Sequence, residues 1–215
     1  MHRFEAILRS PKGSGKPWDE VLDESASFVS FPSLGSMVAG WLLIMPRRPV
    51  LNLRNLTSSE QDELDGLINR VGAKLGAFPG TLYAFEHGNE MVGGPVGCGV
   101  DQAHLHLVPL SFDLFAAARE WPDDNMQWAE IGDAATFASV IPTRGEYVSI
   151  WRPSDQTGLV GTMLKPQSQW VRRVIAAMLG REEAWDYKAH PDVENLMKTV
   201  EVIRMGCPKK SLNQR

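Results

Sequence analysis

The spacing of apolar and polar positions along this chain changes several times, and each change marks an element. Residues 28–31 form one strand candidate. Residues 38–45 are apolar nearly throughout, as a buried strand would be, and Pro46 and Pro49 end that run. The period then lengthens: Leu64, Leu67, Ile68, Val71 and Leu75 recur at helical spacing behind the capping box Thr57-Ser58-Ser59-Glu60. Gly76 and Pro79-Gly80 stop this helix. Residues 81–86 and 102–108 read as two more strands, separated by a glycine-rich loop at 88–99. Asp113 caps a short helix that Trp121-Pro122 ends, and residues 146–152 alternate around Tyr147 and Trp151 as a fifth strand. Residues 123–144 carry no readable period. Beyond 152 the pattern predicts helices. One stripe is Val171, Val174, Ile175, Met178 and Leu179, between Pro166 and Gly180. A second is Val193, Leu196, Met197, Val200 and Ile203, opened by Pro191.

This order predicts an α+β fold: an antiparallel sheet of about five strands with helices packed on it, plus a C-terminal helical extension. The expected division is a core at 1–155, a helical extension packed on it at 156–205, and a disordered tail at 206–215. With 215 residues, 43% of them hydrophobic and 22% charged, the chain can bury a full core. The formal net charge of −4 argues against a broad basic surface for nucleic acid, but allows a small anionic substrate held by local donors. Cys98 and Cys207 form no CxxC pair, which points away from a disulfide scaffold and a cysteine zinc site. The N-terminal residues carry charge where a signal peptide would be apolar, and the longest apolar run, 37–46, is too short to span a bilayer. A cytoplasmic protein with no membrane partner is expected. The Gly-Ser-Gly-Lys run at 13–16 lacks the remaining positions of a phosphate loop, since Ser10 and Pro17 occupy them.

The chemistry concentrates at 102–108. In a strand, Gln102, His104 and His106 share one face, while Ala103, Leu105 and Leu107 share the other and form its core side. Histidines on a half-exposed strand are common, and HxH arises by chance. Here the pair follows directly on a loop whose Gly93-Gly94, Gly97 and Gly99 let backbone donors approach a ligand. Two adjacent imidazoles suit attack on phosphorus, one as nucleophile and one as donor. They equally suit a metal, if a third ligand such as His87 or Glu86 approaches. The spacing leaves both readings open. Arg172 and Arg173 lie off the apolar stripe of their helix; arginine suits phosphate, although a solvated face explains at least one of them.

The run Gln102-Ala103-His104-Leu105-His106-Leu107-Val108-Pro109 resembles the signature of the histidine triad (HIT-like) superfamily, with Gln102 in place of the first histidine. Trp41 to Pro46 followed by Arg47 and Arg48 is similar to that superfamily's apolar strand and basic turn. Phe85-Glu86-His87-Gly88 and Gly97-Cys98-Gly99-Val100-Asp101 are similar to segments of bacterial members. The resemblance covers roughly residues 28–110. It implies a nucleotide phosphate hydrolase or nucleotidyl transferase, acting on dinucleoside polyphosphates or nucleoside phosphoramidates, without cofactor or metal and as a homodimer. It also implies catalytic roles for His104 as nucleophile and His106 as phosphate contact, with Gln102 beside them. Glu86, His87, Gly97, Gly99, Ser33, Trp41 and, from the arginine reading above, Arg172 are the substrate-binding candidates. Ser33 stands where relatives carry an acidic ribose contact, Pro49 where a histidine is common, and Leu110 where an arginine is common. Two rivals remain at this stage: a metal-dependent hydrolase that uses the HxH pair as ligands, and a nucleotide-binding module without turnover.

Overall fold

The computed structural model describes residues 3–10, 14–94 and 101–206. Eight strands form one antiparallel sheet: β1 (Asp23–Glu24), β2 (Phe28–Pro32), β3 (Leu42–Pro46), β4 (Thr81–Gly88), β5 (Leu105–Leu110), β6 (Met126–Ile131), β7 (Tyr147–Arg152) and β8 (Thr157–Met163). Their order across the sheet is β1-β2-β3-β5-β4-β7-β8-β6. The expected α+β class holds, but the sheet has eight strands rather than about five. The additional ones have physical reasons to escape the pattern. β1 is two residues long. β6 is an edge strand whose residues are partly or wholly exposed. β8 contains Gly158 and Gly161, positions where the Val140 side chain and the Trp128 ring fill the space a Cβ would need. β8 also opens the C-terminal part, where the pattern predicts only helices.

Both faces of the sheet are covered. On one, Leu42, Ile44, Ala84, Leu105, Leu107 and Trp151 pack against α2 (Ser58–Leu75), which contributes Leu64, Leu67, Ile68, Val71 and Leu75. The capping box forms as predicted: the Glu60 amide donates to the Thr57 hydroxyl at 3.3 Å and the Thr57 amide to the Glu60 carboxylate at 2.8 Å. On the other face, α3 (Leu114–Arg119) and α4 (Trp170–Met178) cover Tyr83, Phe85, Val108, Val148 and Ile150. Alongside them, α1 (Arg3–Arg9) covers Val29, Phe31, Leu43 and Met45. Each fully buried aliphatic residue of α4, such as Val174 or Ile175, contributes about 1.5–3 kcal/mol of hydrophobic stabilisation. α5 (Val193–Met205) docks at the end of the sheet, where Thr199 accepts a hydrogen bond from the Gly40 amide at 2.8 Å.

Three boundaries differ from the pattern. The strand predicted at 38–45 starts only at Leu42, because residues 38–40 turn through Gly40 at φ +89°. The helix expected from Pro166 begins at Trp170, after Gln169 in the left-handed region. The strand expected from 102 begins at Leu105, so Gln102 and His104 precede it. Among the described residues no helix is long and apolar enough to cross a membrane.

Candidate functional site

His106 lies in β5 opposite Phe85 of β4 and Leu43 of β3. Its ring stacks on Phe85 with centroids 4.4 Å apart and planes 4° from parallel. Trp41, immediately before β3, donates its indole N–H to His106 Nδ1 at 3.0 Å. An indole nitrogen can only donate, so Nδ1 accepts and the neutral ring carries its hydrogen on Nε2. His104 adopts the opposite form. Its Nδ1 lies 2.9 Å from the Gln102 carbonyl oxygen, which can only accept, so Nδ1 carries the hydrogen and Nε2 keeps a lone pair. The two rings stand 5.0 Å apart, tilted by 59°.

His87 joins this face. Continuing the β4–β5 register two residues past Phe85 and His106 brings it level with His104. Its Nε2 is buried without a hydrogen-bond partner among the described residues. Burial, then the charge of His104, pushes the His87 imidazole down to about 3. Burial also lowers His104, with the Arg172 charge adding to it and the Gln102 carbonyl opposing it. His106 is held well below its ordinary value by burial first, then by His104, Arg172 and His87. All three rings are therefore neutral at neutral pH.

Among the described residues two elements lie over part of the histidine face, which leaves His87 and His104 half-buried and His106 buried. Phe4 of α1 meets His104 edge to face at 5.5 Å and Phe31 at 5.7 Å. From α4, Arg172 places its guanidinium carbon 4.9 Å from the Trp41 ring centroid. Only 5% of Arg172 is exposed, so of the two arginines it is not the solvated one. Arg173 packs over Trp185 instead.

The other candidates fall in different places. Ser33 is buried across from Trp41, with its amide donating to the Trp41 carbonyl at 3.0 Å and its hydroxyl turned to the Leu34 carbonyl. Gln102 does not face the imidazoles as strand alternation suggests. Its amide nitrogen donates to the Pro46 and Arg48 carbonyls, at 3.0 and 3.1 Å, and so ties the start of the histidine segment to the end of β3. Glu86 lies on the opposite face of the sheet from His87, beside Ala84. There it accepts from the Leu53 amide at 2.8 Å and from the Tyr147 hydroxyl. Burial raises its carboxyl to about 7, with Tyr147, Leu53 and Arg54 pulling the other way. Glu86 therefore anchors the turn at 53–55 and does not reach the histidines. Gly97 and Gly99 lie outside the described residues. Among those described, no group of three histidine, cysteine or acidic side chains is placed to hold a metal ion.

Phe4 and Phe85 complete the site; Phe4 carries no motif, while the signal for Phe85 is the Phe85-Glu86-His87-Gly88 segment, which places it two residues before His87 on a paired strand. A cleft of about 820 Å³ lies on the outer side of α1, lined among others by Arg3, Arg9, Lys16 and Trp18, but none of the histidines lines it. Arg3 and Asp19 are spent on each other there.

No family model matches the sequence, and no curated protein matches it. Among solved structures the chain is similar to one described as "Hit Like Protein", at 21% identity and a TM-score of 0.40, covering 53% of this chain and 100% of that one. It is also similar to a Hit-like protein involved in cell-cycle regulation from Bartonella henselae, solved with an unknown ligand. That likeness has 14% identity and a TM-score of 0.39, over 49% of this chain and 77% of that one.

Proposed function

We propose that this protein breaks a phosphate bond in a nucleotide, with His104 as the attacking group. The observation that carries this reading is the 2.9 Å contact between His104 Nδ1 and the Gln102 carbonyl, which leaves the Nε2 lone pair available beside a second imidazole that can donate. Nε2 attacks phosphorus and forms a P–N bond as the bond to the leaving group breaks; the leaving group departs with the electron pair. The His104 ring is then cationic, and its Nδ1–H to carbonyl hydrogen bond strengthens as that charge develops. Water adds to phosphorus as the P–N electron pair returns to Nε2, and the proton it sheds passes to solvent, so that His104 is again neutral. His106, with its hydrogen on Nε2, donates to a non-bridging phosphoryl oxygen. A neutral His106 supplies no spare proton, so a leaving group stable as an anion, such as a nucleoside phosphate, suits the site better than an amine. Hydrolysis in preference to transfer, and a homodimeric state, are carried over from the resemblance of the 102–109 motif.

The test is a panel of α-labelled nucleotides and dinucleotides, quenched during turnover and examined for acid-labile, base-stable label on the protein. The expected result is label on the parent chain and none on His104→Ala, with turnover lost by orders of magnitude and nucleotide affinity within a modest factor. Equal turnover in the two proteins overturns the assignment.

A further inference from the structure

Arg172 is held in a way that suits a task other than gripping phosphate. Its Nη2 donates to the Gly35 carbonyl at 2.6 Å and its Nε to the Trp185 carbonyl at 2.9 Å. Gly35 sits at φ +73°, and a Cβ there would lie 2.7 Å from Arg172 Nη2 and 2.5 Å from Tyr187 Cβ. The backbone therefore comes within reach of the guanidinium only because residue 35 has no side chain. So clamped, the cation lies over the Trp41 indole, whose edge meets Phe85 at a centroid distance of 6.0 Å and a plane angle of 72°. The indole N–H is then aimed at His106 Nδ1. A cation on the ring face attracts electron density from the indole and makes that N–H a better donor.

We propose that Arg172 is a positioning residue: through the Trp41 indole it determines which nitrogen of His106 carries the hydrogen. The inference uses the phosphoryl-transfer reading only for its consequence. With Nδ1 occupied by Trp41, His106 can present nothing but a donor to the phosphate, and nucleophilic attack is left to His104. The charged and titratable groups acting on His106 are His104 ahead of its own strand, His87 on β4 and Arg172 on α4.

The experiment records histidine ring nitrogen–hydrogen correlations by NMR on the full chain, across a pH series. His106 in the parent is expected to be neutral with its hydrogen on Nε2. In Trp41→Phe the ratio of the Nε2–H to the Nδ1–H form falls about tenfold, as loss of one ordinary buried hydrogen bond gives. Arg172→Lys keeps the charge but loses the planar fork, so the ratio falls several-fold while the pH at which His106 titrates stays low. Arg172→Met lowers the ratio and also moves that titration to higher pH. A parent His106 with its hydrogen on Nδ1 overturns the proposal. So does an unchanged ratio in an Arg172 variant whose amide spectrum is native. Should Arg172→Met fail to fold, Arg172→Lys carries the same decision. Turnover separates the two readings. A relay that behaves as expected in a chain that turns over no nucleotide stands while the reaction fails; label on His104 with an unmoved ratio refutes the relay alone.

Discussion

Gln102 shows how a single side chain can match a motif position and serve another purpose. Its place two residues before His104 predicts a side chain among the imidazoles; instead its amide donates to the Pro46 and Arg48 carbonyls, and its own carbonyl sets the His104 tautomer. The contribution to the site comes from the backbone, which any residue supplies. Gln102→His is accordingly expected to retain turnover within a few-fold. It should lower stability by about 1 kcal/mol, since an imidazole can replace only one of the two donated bonds. Single-turnover rates and denaturant midpoints of both proteins check this. A collapse in rate at an unchanged midpoint would give residue 102 a chemical task.

At the scale of elements, what the chain spells out locally is what formed as expected. Thr57 and Asp113 cap their helices through the bonds that their side chains and spacing predict. The turn from β2 into β3 could not be read in this way, because residues 38–40 are as apolar as the strand that follows. Gly40 decides it. At φ +89°, a Cβ would come within 2.8 Å of Phe78 and Pro109, so the chain turns there and delivers Trp41 to the start of β3. Gly40→Ala combines left-handed strain with overpacking and is expected to cost about 2–4 kcal/mol. Chemical denaturation measures it, and a loss below about 0.5 kcal/mol would show that the turn tolerates a side chain. Since the turn also carries Trp41, the tautomer preference of His106 should weaken with it.

For the whole molecule, Glu86 ties together three parts that are distant in sequence: β4, β7 through Tyr147, and the turn at 53–55 through the Leu53 amide. Its folded carboxyl is raised to about 7, above the ordinary glutamate value of about 4.3 in the unfolded chain. Between those values the folded state binds more protons than the unfolded state. The stability due to the protonated carboxyl is therefore complete below about pH 4 and is lost as pH rises through about 7. Glu86→Gln, which keeps a neutral acceptor in place, is expected to remove this loss, a difference on the order of 3 kcal/mol between the two pH limits. Denaturant unfolding of both proteins at several pH values tests it. Parallel stability–pH curves for parent and variant would contradict the assignment.

The sequence by itself determined two helix caps, the existence of five of the eight strands and the presence of His104 and His106 at the N-terminal end of β5, because caps and apolar runs follow from backbone geometry within a few residues. Only the tertiary structure decided that Glu86 lies on the far face from the histidines, that Phe4 packs on His104 and Arg172 on Trp41, and that β6 and β8 extend the sheet. Those outcomes depend on strand order and on which helix lies over which face. Arg172 meets Trp41 because α4 packs on the sheet, and nothing in the spacing of either segment encodes that contact.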